Sequence, residues 1–251
     1  GTSHNLGQGF ARAFDIKYLD EDNVEKHPWG TSWGVSTRLI GALVMTHGDD
    51  HGLFLPPKVA PIQAVVVPVL FGKNDEAVLA ECRRVSEQLV GLRVKVDDDP
   101  KQTAGWKYNQ YEMLGVPVRI EIGPRDVQQG QVVLVPRNNA GKRFVKLAEL
   151  KPELEKLLDE VQTTMYQAAF ERLQDMTQEA SSFDEFKQKL EKRPGFILVH
   201  WCGSQVCENR IIDETKTTPR VMVPEEQDKT EGPCIACGSR TTTRIYYART
   251  Y

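Results

Sequence analysis

The sequence predicts a multidomain protein of mixed α/β and α+β class, and three observations carry that prediction. The middle third alternates strand-like and helix-like patterns, the last third runs from a long helical stretch into a strand beside clustered cysteines, and the charge changes by segment. Residues 1–61 carry a formal charge of −2, residues 62–147 carry +3 and residues 148–251 carry −4. Those boundaries are taken as three domains, and only the middle one is cationic, which places a polyanionic partner there.

The middle segment is read in order. Ala64–Phe71 (AVVVPVLF) is rich in β-formers, and Pro68 inside it points to an edge strand or a bulge. Asn74 can cap a helix that places Val78, Leu79, Cys82, Val85 and Leu89 at helical spacing until Gly91 stops it. Leu92–Val96 reads as a strand, Ala104–Leu114 as a second helix ended by Gly115, and Val116–Ile122 and Gln131–Val135 as two further strands. Gly123-Pro124 is expected to be a turn. Strands and helices in turn over this length predict a small α/β domain with a largely parallel sheet.

The last segment opens with a helical stretch over 147–176, in which Leu150, Leu154, Leu157, Leu158 and Val161 follow the i, i+3, i+4 rule. Ser182 caps a shorter helix holding Phe183, Phe186 and Leu190, and Pro194-Gly195 ends it. Phe196–Trp201 (FILVHW) is a strand that leads into the first cysteine pair.

Composition excludes several function classes. With 40% apolar and 27% charged residues among 251, the chain is not a mostly disordered one. No apolar run approaches the ~18 residues of a bilayer-spanning helix, so no membrane role is expected. The opening GTSHNLGQGF has neither the basic nor the apolar region of a secretion signal. A start at Gly1 rather than Met predicts a piece cut from a longer protein.

Four of the five cysteines cluster as Cys202-x4-Cys207 and Cys234-x2-Cys237, separated by 26 residues. Two close pairs can fold together into a tetrahedral set of thiolates that suits Zn²⁺, with Gly203, Gly232 and Gly238 allowing the tight turns. Four protein ligands leave no open position, so the zinc would be structural. The competing reading is four reduced thiols in a cytoplasmic protein.

The first segment holds the most specific wording. Trp33-Gly-Val-Ser-Thr-Arg38 leads into LIGALVMTHGDD, so that Arg38 opens a helix whose face holds Leu39, Ile40, Leu43 and Val44. A guanidinium held by a packed helix suits phosphate oxygens, although an ordinary salt-bridge role fits the spacing equally. This stretch resembles motif 3 of the class II aminoacyl-tRNA synthetases, and most closely that of prolyl-tRNA synthetases of the type with a zinc-binding C-terminal extension. The resemblance runs along the chain: TSHNLGQGFARAFDI is similar to that family's amino-acid-pocket loop, KYNQYEMLGVPVRIEIGPRD to its anticodon-binding domain, and the cysteine pattern to its C-terminal domain. Tyr251 is also a common last residue there.

The resemblance implies a fold and a function. Residues 1–61 would be the end of an antiparallel-sheet catalytic domain, residues 62–147 an anticodon-binding α/β domain and residues 148–251 a zinc-binding α+β domain. The implied activity is ATP-dependent activation of proline and its transfer to tRNA(Pro), with Mg²⁺ at the nucleotide. Arg38 would bind ATP phosphates, Thr2 would touch the adenylate and the prolyl group, and His4, Trp33 and Ser36 would line the proline pocket. Glu112, Arg119 and Asp126 match positions that read anticodon guanines, and Tyr108 can stack on a loop base. An internal Glu–Arg–Asp ion network is the alternative for that trio. Lys142, Arg143 and Lys146 are expected to be general phosphate contacts.

The family's motifs 1 and 2 are absent from this sequence. The expectation is therefore a C-terminal part of a synthetase, working with its N-terminal portion as a homodimer in the cytoplasm. Two rivals stand beside it. One is a non-catalytic RNA-binding protein with a vestigial motif 3. The other is a synthetase for an amino acid such as threonine, against which stands the lack of a His/Cys ligand set in residues 1–61.

Overall fold

In the computed structural model, which describes residues 2–72, 75–138 and 140–249, the chain divides into two compact units that meet in sequence between Met165 and Tyr166. The first unit begins with β1 (Thr2–Gly7) and the short α1 (Gly9–Ala13). A two-residue hairpin follows, β2 (Tyr18–Leu19) and β3 (Glu25–Lys26), whose turn is held by the Asp20 carboxylate accepting from the N–H groups of Asp22 and Val24. Next, β4 (Gly30–Gly34) pairs antiparallel with β1, and α2 (Arg38–His47) completes the segment. Among residues 2–48 only Ala11 is buried.

The core of this unit is a five-stranded sheet. Its strands are β5 (Ala64–Pro68), β6 (Val94–Val96), β7 (Val118–Ile122), β8 (Gln131–Pro136) and β9 (Arg143–Lys146), in the order β6-β5-β7-β8-β9. The helices α3 (Asp75–Gln88), α4 (Ala104–Met113), α5 (Pro124–Gln129) and α6 (Leu150–Asp175) complete it. Val78, Cys82 and Val85 of α3 and Leu150, Leu154, Leu157, Leu158 and Val161 of α6 pack on Val66, Val118, Ile120, Ile122 and Leu134. The other face of the sheet holds a smaller cluster, Val65, Val67 and Val116 with Tyr111 of α4. Because successive strand residues alternate between faces, Arg119 and Glu121 of β7 lie on the α4 side.

Three expectations are corrected here. The sheet is mixed rather than largely parallel: β5 runs parallel to β6 and β7, but β8 and β9 are antiparallel. The short α5 lets the chain turn back so that β8 pairs antiparallel with β7, and β9 then adds a hairpin to β8. The four residues Arg143–Lys146 are too few to announce themselves. Gly123-Pro124 is not a turn between strands but the start of α5, since proline at the first helical position lacks only an N–H that would be unpaired anyway. Pro68 sits on an interior strand and costs nothing there because it is the last residue, opposite Ile122. Asn74 lies outside the described residues.

The second unit contains a four-stranded sheet in the order β10-β11-β15-β12. Its strands are β10 (Thr177–Glu179), β11 (Phe196–His200), β12 (Thr217–Val221) and, after the two-residue ribbon β13 (Gly232–Pro233) and β14 (Arg240–Thr241), β15 (Arg244–Arg249). Two helices pack on it, α7 (Phe183–Lys192) and α8 (Gln205–Thr215). Ser182 caps α7 as its sequence predicts, its side chain accepting from Glu185 N–H at 3.2 Å. Phe186, Leu190, Ile197, Val199, Cys207, Ile211, Ile245 and Tyr247 form the core. Among the described residues no helix is long and apolar enough to cross a membrane.

Candidate functional site

Three places in the molecule gather residues with chemistry. The first is the β1–β4 ribbon with the start of α2. Thr2, Gly34, Val35, Ser36, Arg38, Leu39 and Ala42 line an open groove of about 450 Å³. A Cβ at Gly34 would stand 3.2 Å from the Thr2 hydroxyl oxygen, so an added methyl would make the exposed Thr2 side chain shift by a few tenths of an ångström. Arg38 is the first residue of α2, is exposed, and has no ion-pair partner among the described residues. Thr37 at the cap makes no side-chain bond to the helix end. The groove thus ends at the positive end of a helix dipole and an unpaired guanidinium, an arrangement that attracts phosphate, although the Leu39 and Ile40 N–H groups already donate to the Ser36 and Thr37 carbonyls at 3.2 and 2.9 Å.

The sequence-predicted residues divide here. Thr2, Ser36 and Arg38 come together in the groove, whereas His4 and Trp33 do not line it. The register explains why. Thr2 lies opposite Gly34 and His4 opposite Ser32, so these share one face of the ribbon, while Trp33 pairs with Ser3 on the other face and is 82% exposed. The same segment exposes much apolar surface, from Leu39, Ile40, Val44 and Met45 of α2 and from Phe10, Phe14 and Trp29. Exposed apolar surface on that scale marks a surface that something covers.

The second place is the α4 side of the five-stranded sheet. Glu112 and Arg119 line one small cavity of about 60 Å³ together with Tyr111, Val135 and Arg137. They do not pair with each other. Glu112 faces His51 at 3.9 Å, and Arg119 instead donates to Glu121 at 2.9 Å while its guanidinium carbon lies 4.1 Å from the centre of the Tyr108 ring. Burial pushes the Tyr108 hydroxyl up to about 12, so it stays a neutral phenol. Asp126 stands apart, accepting from Gly123 N–H at 2.9 Å at the start of α5 and from Gln131 Nε2 at 3.3 Å. The ion network present is therefore Arg119–Glu121–Lys142, not one joining Glu112, Arg119 and Asp126. Of the three basic residues expected at phosphates, Lys142 donates to Glu121 at 2.8 Å, Arg143 to Glu160 at 2.7 Å and Lys146 to the Gln129 carbonyl at 2.9 Å.

Sequence reasoning missed two residues of this face. Glu121 reads as one polar position in a strand, and only its register beside Val67 shows that it belongs with Arg119. Phe144 lies in the row Glu121–Val133–Phe144 across β7, β8 and β9 and is 67% exposed, an aromatic surface beside the cations. Alternation along VRIEI and RFVK was the available signal for both.

The third place is the cysteine cluster. Cys202 follows β11, Cys207 lies in the first turn of α8, and Cys234 and Cys237 flank the turn between β13 and β14. That turn is tied by Gly238 N–H to the Cys234 carbonyl at 2.8 Å, with Gly238 at φ +80°. Gly232 is glycine because a Cβ would meet the His200 ring at 2.6 Å. All four sulfurs lie within 4.8 Å of one another, and Cys202 Sγ stands 3.6 Å from Cys207 Sγ and 3.8 Å from Cys237 Sγ. A tetrahedron with Zn–S bonds of about 2.3 Å has edges of about 3.8 Å, so the donor set fits a zinc ion in both chemistry and size. Burial pushes the Cys207 thiol up to about 12, while hydrogen bonds from Ser239 hold Cys237 down at about 6. Four close thiols become four thiolates only around a cation.

Comparison with known proteins matches two segments of the chain to family models and the whole chain to named relatives. Residues 63–157 match the family model described as anticodon binding domain, and residues 183–251 match prolyl-tRNA synthetase, C-terminal. The whole chain aligns with proteins named proline–tRNA ligase, 50% identical over 254 residues in Natranaerobius thermophilus, 46% over 252 in Oceanobacillus iheyensis and 48% over 258 in Chloroflexus aggregans. In each case all of this chain is covered, against 52%, 52% and 53% of the relative. The chain, spanning about half the length of the curated relatives it matches, thus resembles the prolyl-tRNA synthetase family from end to end, with an anticodon-binding domain and that family's C-terminal domain in the family's order.

Proposed function

We propose that this chain supplies motif 3, the anticodon reader and the C-terminal module of a proline–tRNA ligase. The observation that carries the reading is the conjunction, in one chain, of an unpaired Arg38 at a helix start with the two matched domains. Residues 1–61 act as the end of the catalytic domain, 62–147 as the tRNA-reading domain and 148–251 as the zinc-binding domain. The remaining half of the synthetase covers the exposed apolar surface of α2, and the assembled enzyme works as a homodimer in the cytoplasm.

The chemistry asks for positioning and charge neutralisation, not a covalent nucleophile. Proline's carboxylate attacks the α-phosphorus of ATP and pyrophosphate leaves; the 3′-terminal ribose hydroxyl of tRNA(Pro) then attacks the prolyl carbonyl, loses its proton and expels AMP. Arg38 and the positive end of α2 hold phosphate oxygens as negative charge shifts toward the leaving group. Thr2 and Ser36 orient the adenylate from the groove. His4 and the Trp33 indole, on opposite faces of the ribbon, serve proline together only if the amino acid sits past the end of β4, where an aromatic face meets its secondary ammonium. Mg²⁺ enters with ATP as its counter-ion. Zinc, when bound by Cys202, Cys207, Cys234 and Cys237, cross-links the end of β11, the start of α8 and the β13–β14 turn.

Nothing in the relatives favours a non-catalytic RNA-binding role. The test is proline-dependent exchange of pyrophosphate into ATP by the enzyme assembled with the half that the relatives possess. Arg38→Ala is expected to lower exchange by about a hundredfold or more. An unchanged rate contradicts the reading.

A further inference from the structure

Glu121 is 6% exposed and sits between Ile120 and Ile122, whose side chains fill the core on the other side of the sheet. A carboxylate so placed is stable only if its charge is matched. Two cations match it. Arg119 brings both Nε and Nη2 to Oε1 at 2.9 Å, and Lys142 brings Nζ to Oε2 at 2.8 Å. Arg119 is thereby fixed along one edge by Glu121 and across one face by the Tyr108 ring.

The geometry decides which donors remain. A guanidinium has five N–H groups; Glu121 takes the Nε hydrogen, and Nη2 stands 2.9 Å from the same Oε1 as an ion-pair contact. Nη1 and the outward hydrogen of Nη2 are left, forming a two-nitrogen fork at the end of the side chain. That fork matches two adjacent acceptors in one plane, as guanine presents at O6 and N7, and it belongs to a residue that lines the cavity shared with Glu112. Lys142 is held differently. Its side chain is 55% exposed, so its contact with Glu121 is a solvent-side pair that a phosphate oxygen can replace.

We propose that Glu121 is a positioning residue for base recognition, clamping the Nε edge of Arg119 so that its free fork meets a guanine-type edge in single-stranded RNA. The inference rests on the reading of this face as the anticodon reader and deepens it. Without the carboxylate, Arg119 recovers its rotamers and must lose them again on each binding event, which weakens the specific contact more than the general one.

The experiment measures binding of the full 251-residue chain to RNA hairpins with a seven-nucleotide loop, carrying guanine or adenine at the tested loop positions. Glu121→Gln keeps the shape and removes the charge. The guanine-over-adenine ratio of affinities is expected to fall about tenfold, while Lys142→Ala weakens both hairpins alike. A Glu121→Gln chain that binds both hairpins more weakly but keeps the wild-type ratio overturns the positioning role alone. A wild-type chain without guanine preference overturns the reading of the face and this inference with it. A second measurement needs no variant: the Arg119 Nε–H of the free wild-type chain is expected as a resolved, slowly exchanging nuclear magnetic resonance signal. Its merging with the bulk arginines contradicts the clamp.

Discussion

Arg137 grips Asp49 with both terminal nitrogens, Nη2 to Oδ1 at 2.6 Å and Nη1 to Oδ2 at 3.0 Å, joining positions 88 residues apart. The third donor of the same guanidinium, Nε, reaches the Glu112 carbonyl at 3.1 Å. Alongside, Leu53 and Leu55 N–H groups bond to the carbonyls of Met113 and Gly115, both at 3.0 Å. The segment after α2 is thus fastened to the end of α4, the helix that carries Tyr108 and Glu112. The segment that carries Arg38 and the sheet face that carries Arg119 are linked through structure, not only through sequence.

Asp49→Asn tests that fastening. The Arg137 side chain is only 3% exposed, so losing its counter-charge leaves a nearly buried guanidinium with one carbonyl for company. A loss of about 1–3 kcal/mol in unfolding free energy is expected, measured by denaturant titration. A change below a few tenths would show that the fork is decorative.

The same pair sets a pH dependence. Hydrogen bonding from Arg137 holds the Asp49 carboxyl below its usual value of 3.8. A lowered carboxylate pKa means that the contribution is complete above the unfolded value, about 3.9, and disappears as pH falls through the folded one. The stability gap between wild type and Asp49→Asn is therefore expected to be constant from pH 7 to 5 and to close below pH 4. A gap that persists at pH 2.5 would assign it to packing instead.

How much of this was legible in the sequence depends on the distance over which each feature is determined. The helices α3, α4, α6 and α7 and the strands β5, β7, β8 and β11 declare themselves by local periodicity and stop residues. Four cysteines in two close pairs point to a candidate metal centre because the ligand chemistry is local to each pair. The strand β9 was faint, since four residues give too short an alternation to stand out and its pairing with β8 is what makes it a strand. Arg137 escaped because its partner lies 88 residues away; Glu121 has one partner, Lys142, 21 residues away, and the other, Arg119, two residues away, where strand alternation alone could have paired them. Trp33 was grouped with His4 by family wording, and only the ribbon register separates their faces.

Metal content gives a further check. Protein expressed with zinc available is expected to carry one zinc ion per chain by elemental analysis. Cys207→Ser is expected to remove it and to expose the backbone amides of the Cys202, Cys207 and Cys234–Cys237 segments to hydrogen exchange. Protein without zinc, or amides unchanged after its removal, contradicts the metal assignment.

Gly34→Ala probes the groove without touching a charge. The added methyl comes within 3.2 Å of the Thr2 hydroxyl and must displace it. In the assembled enzyme, the KM for proline or ATP in pyrophosphate exchange is expected to rise several-fold, with a smaller change in unfolding midpoint. An unaffected KM would remove Thr2 from the substrate site.

The most direct measurement compares two reactions in one assembled enzyme, proline-dependent pyrophosphate exchange and prolylation of tRNA(Pro), for two single variants. Arg38→Ala is predicted to abolish both, because activation precedes transfer. Arg119→Ala is predicted to leave exchange near wild type and to lower prolylation by tenfold or more. If Arg38→Ala leaves exchange intact, or Arg119→Ala depresses exchange as much as prolylation, the division of labour between the groove at α2 and the sheet face at β7 is wrong.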